Sequence, residues 1–433
     1  MLNKEEGQWN LANRTVLEGK VIERWAVLDF SSYDRRFKPN SLIYNKFVQK
    51  LTMRCKKLGI HMKNPLFREL SDMRVLSDTD RLRKLLNHVY DEANHRLQIL
   101  VCIMLDKHPG YNALKWICET QVGIVTELCL SKQCNMGKDH YMTNLALQIN
   151  TKLGGSNFEL FDPIPRLESD DHVMFIGADV NNPSPGIASS PSAAAVVATV
   201  NWPAANKYVG RYRLQKHRTE KIEDFGEMCL ELINKYAELN KVKPKKIIVF
   251  RDGVSNSQFD MVLDEELVDL KNAIHCDGYS PTITLMIAQK RHLTRLFPMD
   301  NKQGVRNSNV FPGTVVDTTI VHPWKFDFYL CSHYGILGTS KPTRYYCLHD
   351  DHSFSLDDLQ QLTYNLCYTH ARCSKPVSLV PPAYYANTLA YRVQQYYEAW
   401  EAAATVSSSN FPLQFDSNIF KLHGDLENIM FFC

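Results

Sequence analysis

Two aspartates stand where apolar runs end: Asp179 near the close of MFIGADV and Asp252 at the close of KIIVFRD. Each run is short, apolar and free of breakers, which predicts a buried strand with a carboxylate at its C-terminal end. If the two strands are parallel neighbours, about 4.8 Å apart, the side chains meet, and like charges that close are costly unless a cation neutralises them. A divalent metal answers that need. Two hard cations about 3.5–4 Å apart, held by carboxylate oxygens, activate water and stabilise the leaving oxygen in phosphodiester hydrolysis. Either aspartate taken alone also reads as a turn residue or helix cap. Glu220 opens a predicted helix over 220–239, where a carboxylate complementing the helix dipole, worth about 0.3–1 kcal/mol, is the plainer explanation.

A second constellation suits an anion. Tyr111 and Lys115 are four residues apart just after a Pro109-Gly110 turn, so ring and ammonium share a face beside a helix N-terminus. Backbone N–H groups and the dipole attract a terminal phosphate there, and a ring can stack on the adjoining base. A surface lysine beside a half-buried tyrosine is the competing explanation. Lys290, Arg291, His292 and Arg295 form one basic run, with Arg372 and Lys375 a second. Such runs are either phosphate contacts or ordinary solvated charge. Cys367, His370 and Cys373 are spaced by three without a fourth ligand and read as core packing. The run HDDH over 349–352 reads as a polar turn.

These residues need elements to hold them. A strand at 96–105, the Pro-Gly turn and a helix at 111–120 make a strand–loop–helix unit of α/β type. A strand at 23–30 and helices from 45, at 78–93 and at 141–153 surround it. A Pro-containing stretch at 161–171 leads to a second unit, with strands at 172–180, 193–200 and 207–215 before the helix at 220–239. The strand 246–252, a helix 258–274 capped by Ser255, and strands at 282–289, 314–321, 326–332 and 344–348 follow. Helices at 357–366 and 382–400 complete it. The expected organisation is a linker segment over 1–44, a first domain over 45–165, a second over 166–400, and a flexible linker and tail over 401–433. Small residues fill 402–409, and the apolar stretch 429–432 must dock.

Composition bounds the rest. A chain of 433 residues, 44% hydrophobic and 22% charged with 19 Gly and 19 Pro, is globular rather than disordered or stalk-like. No apolar run reaches the roughly 18–20 residues of a membrane span, so no membrane partner is expected. The N-terminus shows no apolar export segment, which implies a cytoplasmic address, with a nuclear one as the alternative. Twelve cysteines without a Cys-x-x-Cys pair read as reduced, buried thiols. A net charge of +3 is too weak to imply nucleic acid without local patches.

The segments GADVNNPSPG, QKHRTEKI, FRDGVSNSQF, AQKRHLTRLF and SLVPPAYYANTLAYR are similar to consecutive motifs of the PIWI domain of eukaryotic Argonautes, in the plant-type version. Upstream, LDKHPGYNALKWICETQVGIVTELCL and LALQINTKLGG resemble the MID domain, and GQWNL resembles the second linker of that family. The N and PAZ half of the family pattern has no counterpart here. The resemblance implies an α/β chain, a Rossmann-like MID domain followed by an RNase H-like PIWI domain. It implies two Mg²⁺ ions, or Mn²⁺ in their place, held by strand-end acids that cut RNA opposite a small guide RNA. Asp179, Glu220 and Asp252 match the first three catalytic positions and would be the metal ligands; the fourth, usually His or Asp in cleaving members, falls on Asn387. An amide oxygen can ligate Mg²⁺ but carries no charge and does not titrate.

For the guide, Tyr111, Lys115 and Lys152 match the MID residues that hold the 5′ phosphate, and Arg392 matches the PIWI arginine that supports it. Two positions depart: Glu127 stands where the family usually has Gln, and Gln148 where it usually has Lys. A carboxylate about 5 Å from phosphate, at an effective dielectric near 20, costs roughly 3 kcal/mol per unit charge. Either guide affinity is weaker than usual, or Glu127 points elsewhere. The resemblance places Lys290, Arg291, His292, Arg295, Arg372 and Lys375 along the guide backbone. Expected partners are a small guide RNA, complementary target RNA and Trp/Gly-rich silencing proteins. The function implied is small-RNA binding in RNA silencing with impaired cleavage; the alternatives are an active Mg²⁺-dependent, RNA-guided endoribonuclease and an interaction module that holds no RNA.

Overall fold

The computed structural model describes residues 7–11, 13–32, 40–164, 166–184, 190–276, 278–300, 304–305, 308–407 and 417–433. The last two residues of GADVNNPSPG and the end of the 402–409 stretch lie outside these. Contacts group the chain into two compact units, one of residues 1–10 with 158–391, the other of residues 11–157 with 392–433.

The unit built on 11–157 holds a parallel four-stranded sheet. Its strands are β1 (Trp25–Asp29), β2 (Arg68–Leu70), β3 (Ile99–Met104) and β4 (Thr126–Leu130), in the order β2-β1-β3-β4. β1 and β3 are buried along their whole length, as apolar runs covered on both faces should be. Helices α1 (Tyr44–Lys57), α2 (Thr79–Glu92), α3 (Tyr111–Ile117), α4 (Ser131–Met136) and α5 (Asp139–Lys152) accompany it. Asp78 caps α2 by accepting the Arg81 N–H, and α5 stops where Gly154 takes φ +82°. Met430, Phe431 and Phe432 are buried, so the apolar end docks in this unit. The segment 1–44, read as a linker, supplies the sheet strand β1. β2, β4 and α4 go beyond the expected elements, because TELCL and REL are too short to show a period.

The other unit holds a mixed eight-stranded sheet. β5 (Val173–Asn181), β6 (Ser192–Thr199), β7 (Tyr208–Gln215), α6 (Phe225–Asn240) and β8 (Lys246–Asp252) come first in the chain. α7 (Leu267–Ile274), β9 (Thr282–Gln289), β10 (Thr314–Val316), β11 (Asp327–Cys331), β12 (Thr343–Asp350), α8 (Leu356–Leu366) and the part of α9 (Pro381–Ser407) up to Tyr391 follow; from Arg392 on, α9 groups with the four-stranded unit. The order across the sheet is β10-β11-β12-β9-β8-β5-β6-β7, with β8 parallel to both β5 and β9 and the other pairings antiparallel.

Alternation along the strands decides what faces what. Met174, Ile176 and Ala178 of β5, with Ile247 and Val249 of β8, join the core under α6 and α7. Val173 and Phe175, with Ile248 and Phe250, join the core under α8 and the start of α9. Asp179 and Asp252 share the second parity, and the register Arg251↔Ala178 brings them to adjacent strand ends. Arg251 has the first parity and points to the opposite face.

Three expectations change. The helix expected from 220 begins at Phe225, so Glu220 lies in the preceding connection and is no dipole partner. Side chains claim the backbone groups of 219–223, and this removes them from helical bonding. The helix expected over 258–274 opens on a 3-10 turn, Asn256–Gln258, and contains a π turn, Val262–Glu266, before α7. The strand expected over 314–321 stops at Val316, beyond which the chain turns.

Candidate functional site

Asp179, Glu220, Asp252 and Asn387 line one cavity of about 940 Å³ in the eight-stranded unit. Asn387, on α9, donates from Nδ2 to Asp179 Oδ2 at 2.8 Å. Asn182 Nδ2 donates to Glu220 Oε1 at 2.5 Å, and the Gly253 N–H to Asp252 Oδ1 at 2.8 Å. Gly253 has φ +83°, and a Cβ there would stand 2.9 Å from Asp179 Oδ1; a side chain at this turn would intrude on the acids. Burial pushes the Asp179 carboxyl up, against the pull of Arg251 and the Asn387 hydrogen bond. Burial, with repulsion from Asp179, raises Asp252 to about 7. Among the described residues no three His, Cys, Asp or Glu side chains converge as a preformed metal cage.

Lys290, Arg291 and His292 line the same cavity, as do Arg218 and Arg344; Arg295, Arg372 and Lys375 do not. Lys290 is already spent, since its ammonium donates to Ser378 Oγ and to Ser378 O. His292 Nε2 lies 2.9 Å from Pro342 O, and Arg295 Nη1 donates to Thr294 O at 2.8 Å. Arg344 pairs with Asp327 at 2.6 Å. Arg291 and Arg218 are exposed.

The four-stranded unit carries a second polar centre. Lys115 Nζ donates to Thr126 O at 3.0 Å and Thr126 Oγ1 at 2.6 Å, and Lys152 Nζ donates to the same carbonyl at 3.0 Å. Glu127 turns onto Lys152, with Oε2 2.6 Å from Nζ. Arg392 Nη1 reaches both oxygens of Glu119 at 2.6 and 2.9 Å, while Nη2 donates to Tyr111 OH at 3.3 Å. Tyr396 OH also donates to Glu119. Lys115, Glu119, Glu127, Lys152 and Arg392 are all buried, so three cations face two carboxylates in a place where unpaired charge is costly. Burial opposes ionisation of Glu119, yet Arg392 and Lys115 hold its carboxyl below the usual range. Burial lowers Lys152, with Glu127 resisting. Gln148 sits one turn before Lys152 on α5 and is half-buried.

The Piwi domain family model matches residues 98–398. The chain belongs to the Piwi domain family. It is 53% identical over 399 residues to protein argonaute 2 of Oryza sativa subsp. japonica, an alignment that covers 90% of this chain and 38% of that protein. The chain spans about two fifths of the length of the curated relatives it matches. Its fold is similar to the C-terminal lobe of a budding yeast Argonaute, with TM-score 0.84, 23% identity, and coverage of 99% of this chain and 89% of that one. It is also similar to Kluyveromyces polysporus Argonaute with a guide RNA, with TM-score 0.82, 22% identity, and coverage of 100% and 54%. The architecture is therefore that of an Argonaute MID–PIWI lobe, α/β throughout, with an RNase H-like PIWI sheet.

Within this Piwi-family chain, sequence reasoning missed Glu119, Tyr396, Gln215 and Glu266. Glu119 had a signal, as it follows Lys115 by four on one helix. Glu266 had one too: it falls on the apolar stripe Phe259, Leu263, Leu267, Leu270 and Ile274, where a charge is out of place. Tyr396 and Gln215 gave none.

Proposed function

We propose that this chain is the guide-holding and target-facing part of an Argonaute-type RNA-silencing protein. The observation that carries the reading is the buried centre where Lys115 and Lys152 share the Thr126 carbonyl beside Tyr111 and Arg392. Those cations would hold the guide's 5′ phosphate while the Tyr111 ring stacks on the first base. Arg291 and Arg218, with the half-buried residues around them, would follow the RNA backbone; Arg295, Arg372 and Lys375 belong to the same proposed track outside the cavity. The guide RNA held by one structural neighbour, Kluyveromyces polysporus Argonaute, supports this assignment.

The carboxylate cavity fits a divalent cation by the chemistry of its donors. Asp179, Glu220 and Asp252 offer hard oxygens, and the mutual repulsion that raises Asp252 is what a cation relieves. These residues would hold Mg²⁺, or Mn²⁺, which when bound supplies charge stabilisation and an activated water for RNA cleavage. Asn387 holds Asp179 through its amide and leaves Oδ1 for a ligand, but it can neither take up a proton nor add charge. Cleavage is accordingly the weak half of the function and guide binding the strong half.

Binding of short single-stranded RNA to the whole chain, followed by fluorescence anisotropy, tests the reading. Tight binding that Lys115→Ala with Lys152→Ala removes is expected. Failure to bind RNA of any 5′ chemistry would return the chain to the class of interaction modules, including a docking role for Trp/Gly-rich silencing proteins.

A further inference from the structure

Arg251 and Glu266 are each 1% exposed. A fully buried ion pair is an expensive way to hold a core, since apolar side chains of similar volume do as well or better. Its contacts suggest another purpose. Glu266 Oε2 accepts from Arg251 Nε at 2.9 Å, and Oε1 accepts from Arg251 Nη2 at 3.0 Å and from the Ile222 N–H at 2.8 Å. The guanidinium donates onward to main chain, Nη2 to Glu220 O at 2.6 Å and Nη1 to Asp252 O at 2.7 Å.

Gln215 grips the same segment from β7. Its Nε2 donates to Thr219 O and Lys221 O at 2.7 and 2.8 Å, and its Oε1 accepts from the Glu223 N–H at 3.1 Å. Each residue from 219 to 223 thus has a main-chain group taken by one of three buried side chains, and Glu220 is near the middle. Glu266 closes the π turn Val262–Glu266, which adds a residue to the helix and sets the rotation at which this carboxylate meets Arg251.

We propose that Glu266 is a positioning residue for the carboxylate cavity: through Arg251 and the Ile222 N–H it fixes the backbone of Glu220 and Asp252, so that both acids can ligate one cation. This rests on reading the cavity as a divalent-metal site. It accounts for a charge on an otherwise apolar helix face, and for a pair whose donors end on the two segments that carry acids.

Mn²⁺ titration of the full chain by calorimetry tests it, with Asp252→Ala as the non-binding reference. Glu266→Gln places an amide donor against the guanidinium and should weaken Mn²⁺ binding at least tenfold. The double replacement Arg251→Met with Glu266→Met should keep or raise Tm while losing affinity to the same degree. A purely structural pair would instead shift Tm and leave affinity alone, so wild-type Mn²⁺ affinity in both folded variants overturns the proposal. Loss of fold in both overturns it as well, because the pair is then structural. If the wild-type chain binds no Mn²⁺, the metal reading itself falls and takes this inference with it, a result distinct from either.

Discussion

A carboxylate locked onto a lysine is a fixed charge that the phosphate of the proposed guide would meet. Glu127 neutralises Lys152 at 2.6 Å, leaving the centre with one net positive charge from three cations and two carboxylates, half of what a dianionic phosphate carries. Glu127→Gln is expected to raise the preference for 5′-phosphorylated over 5′-hydroxyl RNA at least tenfold, within the roughly 3 kcal/mol that one such charge can supply. Paired titrations measure it, and an unchanged ratio refutes it. Asn387 invites the opposite repair: Asn387→Asp should raise Mg²⁺-dependent cleavage of guide-paired RNA at least tenfold, read on a gel. Lys290 speaks to pH. Burial pulls its pKa down to about 8, whereas the unfolded chain titrates near 10.4. Between those values the unfolded state binds more protons, so this group makes stability rise with pH. The Tm of wild type minus that of Lys290→Met should therefore grow between about pH 8 and pH 10; a constant difference would show that the buried ammonium costs nothing.

At the scale of elements, the close approach of β5 and α9 governs whether Asp179 and Asn387 meet. A Cβ on Gly177 would stand 1.9 Å from Pro382 O, so Gly177→Ala must push strand and helix apart. The expected cost is about 3 kcal/mol or more in urea unfolding, with little change for Gly424→Ala, where an added Cβ meets open space. This geometry also shows what could be read beforehand. The two strands and their terminal acids were legible because uninterrupted apolar runs announce buried parallel strands; their adjacency, only a condition in the sequence, comes from the register of β8 on β5. The rotation at Glu266 was not, since a π turn leaves no mark on residue types. The true place of Glu220 was hidden for a related reason: helical periodicity from Ile222 onward masks an N-terminal segment whose backbone is bonded by Gln215, Arg251 and Glu266 instead. Lys115 and Tyr111 were legible as a pair, but the Glu119 that Arg392 grips comes from 273 positions away in the chain.

Across the whole molecule, a net charge of +3 says little, and the proposed affinity for RNA would have to come from where the arginines sit. Arg218 and Arg291 are exposed at the cavity, and among the described residues neither is held in an ion pair. Replacing both with Ala should flatten the dependence of log affinity on log salt by about one unit per arginine, with little effect on sequence preference. The cuts expected at 165/166 and 400/401 follow the chain, whereas the compact units interleave it: among the described residues, 7–10 group with the eight-stranded unit, and 392–407 with 417–433 group with the other. A Pro-containing linker marks a bend in sequence and carries no information about which end returns to which core. The sulfur chemistry follows the same division. Of twelve cysteines, Cys276 is exposed, Cys373 partly so, and the remaining ten are buried, four of them in the eight-stranded unit that also carries Cys276 and Cys373 and six in the four-stranded unit. A maleimide offered to the native chain should therefore tag position 276 first. The order in which the hidden thiols later acquire mass would record which half of the polypeptide breathes open sooner, without any engineered reporter.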